Sequence, residues 1–233
     1  MQYPNAYKGV KRIYIAEILT LIATILAIIG AAIMIVRYNG NLEQLQNLQL
    51  DAESVDLPIA IASALVLIAG ILAIISFIIS LVGVCNARID ESAFTGALIM
   101  IILSIVVSIT GSVMQNTNPT AANWANVAVS VLTLASTLFI IKGIMNLAEK
   151  LERPDMVSKG RSIMAAILII NIIAIAVSAV SAYLELSETQ EKIVEYVSLG
   201  ASVATLIFLL IYLSYLNKAK KMLQAYGGLL SRF

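Results

Sequence analysis

Six long apolar runs divide the chain, and short polar segments separate them. The runs consist mainly of Ile, Leu, Val and Ala, and they lack the alternation of apolar and polar positions that marks a half-buried strand. Each is long enough to cross a hydrocarbon core of about 30 Å, which takes about 20 helical residues. The pattern predicts transmembrane helices at residues 13–36, 58–84, 96–114, 123–147, 163–183 and 193–216.

The predicted fold is an all-α membrane protein, a six-transmembrane-helix bundle made of three consecutive helical hairpins. Only helices and closed barrels satisfy every backbone hydrogen bond in lipid, and the missing alternation excludes a barrel. Pro58 falls at the start of the second run, where proline costs a helix nothing, and no proline lies inside any run. Uninterrupted helices are therefore expected throughout.

The basic residues predict the orientation of the bundle, because positively charged segments stay on the cytoplasmic side during insertion. With the N-terminus inside, only Arg37 and Lys192 of the 15 Lys and Arg residues fall outside. Residues 1–12 then form a cytoplasmic N-terminal segment. Residues 217–233 form a basic, amphipathic cytoplasmic tail that is expected to lie on the anionic inner surface of the membrane.

Composition agrees with a location in the cell membrane. The chain is 60% hydrophobic and 12% charged, about half the charge of an ordinary soluble domain, and its mean hydropathy is +0.94. A net charge of +1 provides no basic field for nucleic acid. The expected partners are the lipid bilayer and a membrane protein or a second copy of the chain. Short loops without a glycosylation acceptor favour a bacterial inner membrane.

The inventory of reactive side chains argues against catalysis. The chain has no histidine, which removes the usual zinc motifs and the Ser-His nucleophile pair. Its one cysteine, Cys85, allows no intrachain disulfide. No aspartate falls inside a run, and no phosphate-binding loop motif occurs. We expect no enzymatic activity, no catalytic residue, no metal and no cofactor.

Two charged residues, Glu17 and Lys142, lie inside predicted spans. At 1.5 Å per residue, both fall roughly 6–8 Å within the cytoplasmic boundary. Similar depth and opposite charge make them a candidate intramembrane ion pair, since an unpaired buried charge is costly. The alternative for Lys142 is that its long side chain reaches the headgroups unaided. The alternative for Glu17 is a role in proton or ion coupling.

Asn171 lies near the predicted bilayer midplane, where it is a candidate for an interhelical hydrogen bond or, alternatively, a ligand contact. Small residues at four-residue spacing form ladders that let a neighbouring helix approach closely, and a polar-lined conduit is the alternative for those with hydroxyl groups. The ladders predicted to pack are Ala23, Ala27 and Ala31; Ser104, Ser108 and Ser112; and Ala174, Ser178 and Ala182.

Two classes of function remain open at this point. The first is a non-catalytic accessory, scaffold or partner-binding membrane component, favoured by short loops and by helix faces suited to contact. The second is a transporter or channel component for a small or apolar solute, with Glu17, Asn171 and the serine faces lining its path. The unbroken spans count against the second class, because many carriers bind substrate at interrupted helices.

Overall fold

A computed structural model of the chain describes residues 3–38, 57–115, 117–183 and 188–229, with side chains at residues 3–34, 57–115, 117–172, 175–176 and 205–226. All regular secondary structure in these residues is helical, which confirms the all-α prediction for them. The helices are α1 (Pro4–Tyr38), α2 (Leu57–Ala87), α3 (Ala93–Met114), α4 (Pro119–Lys150), α5 (Pro154–Tyr183) and α6 (Glu188–Leu229).

Each predicted apolar run lies inside one of these helices, and most of the helices extend well beyond their run. In the described part of the chain, four helical segments are long and apolar enough to cross a membrane. They are Pro4–Met34, Leu57–Ala87, Ala93–Met114 and Pro119–Lys150. The chain is therefore a helical protein with several candidate membrane spans.

The four prolines of the chain all lie at helix starts. Pro4, Pro119 and Pro154 are the first residues of α1, α4 and α5, and Pro58 is the second residue of α2. A proline in the first turn costs the helix no hydrogen bond, because the backbone N–H groups of that turn have no acceptor within the helix. At α4 the start is also capped, since the Asn118 side chain accepts a hydrogen bond from the Ala121 N–H at 3.1 Å.

The helices contact one another in chain order. Each packs on the next along the sequence, α6 packs back on α1, and α4 also touches α6. The most extensive contacts join α1 to α2 and α3 to α4. These contacts place the sequence neighbours side by side and bring the last helix against the first.

The hydrophobic core is concentrated at one end of the bundle, which we call the packed end. It comprises residues 6–13, 84–101, 140–167 and 212–223, which surround fully buried side chains such as Phe94 and Tyr215. Away from it, described side chains of α2 and α3 are largely exposed. The start of α1, the α2–α3 and α4–α5 turns and the end of α6 thus lie together.

The C-terminal tail differs from the sequence prediction of a segment lying on the membrane surface. Helix α6 continues without a break through the described tail residues, and Ala219, Met222 and Leu223 are buried in the packed end. Its lysines Lys218 and Lys221 remain exposed. The amphipathic pattern is present, but its apolar face packs on the protein.

Helices α1 and α2 pack through small residues spaced seven apart. The Ser76 hydroxyl donates to the Ala16 carbonyl at 2.7 Å, and a Cβ atom added to Gly30 would stand 3.1 Å from the Ala62 carbonyl. A seven-residue period keeps one face of each helix against the other in a left-handed crossing. The two series are Gly9, Ala16, Ala23 and Gly30 on α1, and Ala62, Ala69, Ser76 and Gly83 on α2.

Helices α3 and α4 pack differently, through glycines that face aromatic rings on the other helix. A Cβ atom on Gly96 would lie 2.8 Å from the Phe139 ring, and one on Gly143 would lie 2.7 Å from the Phe94 ring. Each glycine therefore leaves the space that a phenylalanine of the other helix fills. These two glycine–phenylalanine contacts pack α3 closely against α4 at the packed end.

Candidate functional site

Glu17 lies on α1, beside the buried Ala16 and one turn beyond the buried Ile13. Its side chain is half-buried, and it has no hydrogen-bond or ion-pair partner among the described residues. The depth of Glu17 in the membrane stays a prediction.

Two tyrosines of α6 have buried side chains. Tyr212 is 5% exposed and Tyr215 is 1% exposed. Neither hydroxyl has a hydrogen-bond partner within the described part of the chain. Tyr215 packs on Gly160 of α5, where a Cβ atom would stand 2.6 Å from the hydroxyl oxygen. Buried polar atoms without hydrogen-bond partners are uncommon in proteins.

A satisfied polar contact lies one turn further along α1. The Thr20 and Ser76 hydroxyls are 2.7 Å apart, and the Ser76 hydroxyl is also 2.7 Å from the Ala16 carbonyl oxygen. The Thr24 hydroxyl donates to the Thr20 carbonyl at 2.8 Å. These bonds connect α1 to α2 and leave the Glu17 carboxylate outside their network.

Lys142 is exposed on α4. The ion pairs of the described residues join Lys150 to Glu91 and Arg153 to Asp155, and neither involves Glu17 or Lys142. The Glu17–Lys142 pair therefore stays a prediction. Because Lys142 is exposed, its long side chain is free to extend to the lipid headgroups, which is the alternative that the sequence offers for it.

Asn171 is half-buried, and its side-chain amide donates to the Ile167 carbonyl at 2.9 Å, within its own helix. Among the predicted ladders, Ala23 is buried, while Ala27, Ala31 and Ser104 are half-buried. Ser108 and Ser112 are exposed, and the Ser112 hydroxyl donates to the Ser108 carbonyl at 3.0 Å. The third ladder, Ala174, Ser178 and Ala182, lies outside the residues whose side chains are described.

A charged junction that the sequence analysis did not identify is centred on Glu91, in the α2–α3 turn. This residue is 5% exposed. One carboxylate oxygen accepts from the Asn146 amide at 2.9 Å, and the other accepts from the Lys150 ammonium at 2.6 Å. Because both donors are on α4, the carboxylate joins the α2–α3 turn to the end of that helix.

The neighbouring Asp90 connects the same turn to the start of α1. Its carboxylate accepts from the Ala6 N–H at 2.7 Å and from the Asn5 amide at 3.1 Å. An acidic group at a helix N-terminus satisfies free N–H groups and interacts favourably with the helix dipole. Asp90 and Glu91 therefore connect the α2–α3 turn to α1 and to α4 at the packed end.

The electrostatics of the junction stabilise the charged carboxylate. Burial by itself raises the pKa of Glu91, and the hydrogen bonds from Asn146 and Lys150 outweigh that effect, so the pKa lies below its ordinary value of 4.5. The same bond to Glu91 raises the pKa of Lys150. The sequence shows both residues, but nothing in their spacing indicates that they meet.

The α4–α5 turn contains the other charged feature of the packed end. A surface cavity of about 360 Å³ is lined by both acidic and basic side chains. Glu152 in this turn has a φ of 53°, and Arg153 forms a two-bond ion pair with Asp155. The lining residues are Glu149, Glu152, Arg153, Pro154, Val157, Ser158 and Arg161.

The described residues contain no group of three or more His, Cys, Asp or Glu side chains placed to hold a metal ion. Comparisons with models of protein families, with curated proteins and with solved structures find no match to this chain.

Proposed function

We propose that the chain is a six-span integral protein of the cell membrane that acts as a non-catalytic accessory, scaffold or partner-binding component. Both termini lie in the cytoplasm in this proposal, and the spans form three consecutive hairpins. A bacterial inner membrane is the favoured location.

The observation that carries the proposal is the apolar surface of α2 and α3. Leu67 is 64% exposed, Ile74 is 63% exposed and Val113 is 72% exposed. Soluble monomers rarely expose contiguous apolar surface on this scale. Helix α2 buries mainly a narrow stripe of small residues, so most of its Ile and Leu side chains are available to lipid or to another membrane protein.

The proposed orientation is supported by the grouping of segments at the packed end. The contact of Asn5 with Asp90 and that of Glu91 with Lys150 bring together segments that the charge distribution assigns to the cytoplasm. Exposed cations such as Lys8 and Arg88 lie in these segments. A basic, polar end beside an apolar bundle fits the positive-inside rule.

Affinity purification from the native membrane, followed by mass spectrometry, tests the accessory role. Stoichiometric recovery of other membrane subunits is the expected result. Ser108→Leu, which enlarges an exposed position of α3, should reduce that recovery, whereas Ser130→Leu on the exposed side of α4 is the matched control. Recovery of the chain alone, with no effect of either variant, would contradict the accessory role.

Single-cysteine labelling tests the topology separately. In a Cys85→Ala background, a membrane-impermeant thiol reagent should label Thr117→Cys in the α3–α4 turn of intact cells. It should label Ser92→Cys in the α2–α3 turn only after the membrane is opened. Labelling of both sites in intact cells would contradict the proposed six-span arrangement.

A second candidate function, a transporter or channel component for a small or apolar solute, is favoured by the half-buried carboxylate of Glu17 on the apolar helix α1. Loss of an uptake or efflux phenotype in Glu17→Gln, with normal insertion and accumulation, would support it. Retention of that phenotype would count against it.

A further inference from the structure

The surface cavity at the α4–α5 turn is lined by opposite charges that do not pair with one another. Its volume is about 360 Å³, and its charged lining consists of Glu149, Glu152, Arg153 and Arg161. In the described part of the chain, neither carboxylate forms an ion pair, and neither does the Arg161 guanidinium. Space for a ligand therefore remains among these charged groups.

The free charges of the cavity come from two different helices. Glu149 lies in the last turn of α4 and Glu152 just after it, whereas Arg161 lies two turns into α5. Arg153, between them in sequence, already holds the Asp155 carboxylate through two hydrogen bonds of 2.9 Å. A ligand in the cavity thus meets carboxylates at the end of α4 and a free guanidinium on α5.

A ligand that bears both an ammonium and a phosphate matches this lining. Carboxylates accept charge-assisted hydrogen bonds from an ammonium, and the planar guanidinium of an arginine binds phosphate through two parallel N–H···O bonds. Ser158 adds a hydroxyl donor, and Pro154 and Val157 offer apolar surface to methylene groups. Two carboxylates and two guanidinium groups balance, so a ligand of a single charge would meet as much repulsion as attraction.

The depth of the cavity favours a lipid as the source of this ligand. The apolar run of α4 is predicted to end at Leu147, and that of α5 to begin at Ile163. At 1.5 Å per residue, Glu149 lies about 3 Å beyond the first boundary and Ser158 about 7–8 Å before the second. The headgroup layer on each side of a bilayer is about 5–8 Å thick, so the cavity falls within it.

We propose that this cavity binds the phosphoethanolamine headgroup of a phospholipid, with the ammonium against Glu149 and Glu152 and the phosphate against Arg161 and Ser158. This inference goes beyond the accessory role and rests on the part of the proposed function that places α4 and α5 in a membrane. Recovery of partner subunits tests the accessory role without reference to lipid, so either proposal can fail while the other stands.

The test is the retention of lipid by the full chain, purified in detergent and measured by native mass spectrometry. The probes are phosphatidylethanolamine, phosphatidylcholine and phosphatidylglycerol with identical acyl chains. The choline headgroup has no N–H donor, and the glycerol headgroup has no positive charge. Phosphatidylethanolamine should be retained about threefold to tenfold more strongly than either, the effect of a charge-assisted contact at a site open to water.

Arg161→Gln removes the free guanidinium and should weaken the retention of phosphatidylethanolamine by about threefold to tenfold. Lys159→Gln is the matched control, because it removes an exposed positive charge from the same helix but does not line the cavity. Arg161 is also exposed, so both variants should keep the wild-type thermal unfolding midpoint. The double variant Glu149→Gln and Glu152→Gln should retain phosphatidylethanolamine and phosphatidylcholine equally.

Soluble phosphoethanolamine separates the two sources of the same chemical group. Retention of phosphatidylethanolamine in an excess of the soluble compound supports the lipid. Binding of the soluble compound that depends on Arg161, with no lipid retained, would overturn the lipid proposal and assign the cavity to a soluble ligand. Equal retention of the three lipids, stronger retention of phosphatidylglycerol, or equal losses in Arg161→Gln and Lys159→Gln would also overturn it.

Discussion

Gly9 of α1 lies directly against the backbone of Gly83 on α2. A Cβ atom built on Gly9 would stand 2.5 Å from the Gly83 carbonyl oxygen, and one built on Gly83 would stand 2.9 Å from the Gly9 carbonyl oxygen. Side chains at either position would force the two backbones apart. This crossing holds the first two helices together at the packed end.

We therefore expect Gly9→Ala and Gly83→Ala to destabilise the protein by about 1–3 kcal/mol each, the usual cost of overpacking a close contact. The measurement is thermal unfolding in a mild detergent. Gly70→Ala is the control, since a Cβ atom there meets nothing within 4 Å. It should stabilise α2 by about 0.5–1 kcal/mol, because alanine is the better helix former. Equal effects at all three glycines would contradict the close crossing.

Because Gly143 of α4 faces the Phe94 ring of α3, a smaller side chain at position 94 should partly offset the loss of stability caused by a larger one at position 143. Gly143→Ala should destabilise the protein by about 1–3 kcal/mol, because its Cβ atom would lie 2.7 Å from the Phe94 ring. Phe94→Leu removes part of that ring, so the double variant should lose less stability than the sum of the single variants. Additive losses, measured by the same unfolding assay, would show that the two positions do not meet.

The Glu91 junction predicts a specific sensitivity to acid. Its folded-state pKa is below the ordinary 4.5, so its stabilising contribution is present above pH 4.5 and is lost as the pH falls through the lowered value. Glu91→Gln should remove that part of the acid dependence and lower stability at neutral pH by about 1–2 kcal/mol. The loss is modest because the Lys150 side chain is 49% exposed.

Unfolding midpoints of the wild type and Glu91→Gln, compared between neutral and acidic pH, provide the measurement. Asp155→Asn is the control, because the Arg153–Asp155 pair is exposed on both sides. An unchanged acid dependence in Glu91→Gln would exclude Glu91 as the titrating group.

The end of α4 predicts a stabilising substitution. Glu152 has a φ of 53°, and the Arg153 N–H donates to the Ala148 carbonyl at 2.9 Å, as in the helix-ending motif that usually places glycine at this position. Glu152→Gly should raise stability by about 0.5–1 kcal/mol, since glycine adopts this backbone conformation without strain. Glu149→Gly, inside the helix, should lower stability by about 1 kcal/mol. A loss of stability in Glu152→Gly would contradict this account.

The sequence by itself determined where the helices lie. Apolar runs such as residues 58–84 and 96–114 are set by composition and period, and prolines such as Pro119 and Pro154 begin helices because their missing N–H is harmless there. The small residues on one face of α1 can also be identified from the sequence alone. Ala23 fits both the predicted four-residue ladder and the seven-residue series, and only a neighbouring helix selects between these periods.

The tertiary structure decided which distant residues meet. Glu91 reaches Lys150 across 59 positions of sequence, and Asp90 reaches Asn5 across 85, so no local pattern encodes either contact. The same holds for Tyr212, whose burial depends on how α6 packs against the other helices. Side-chain chemistry and helix period are local properties, whereas the partner of a buried polar group depends on how the helices pack.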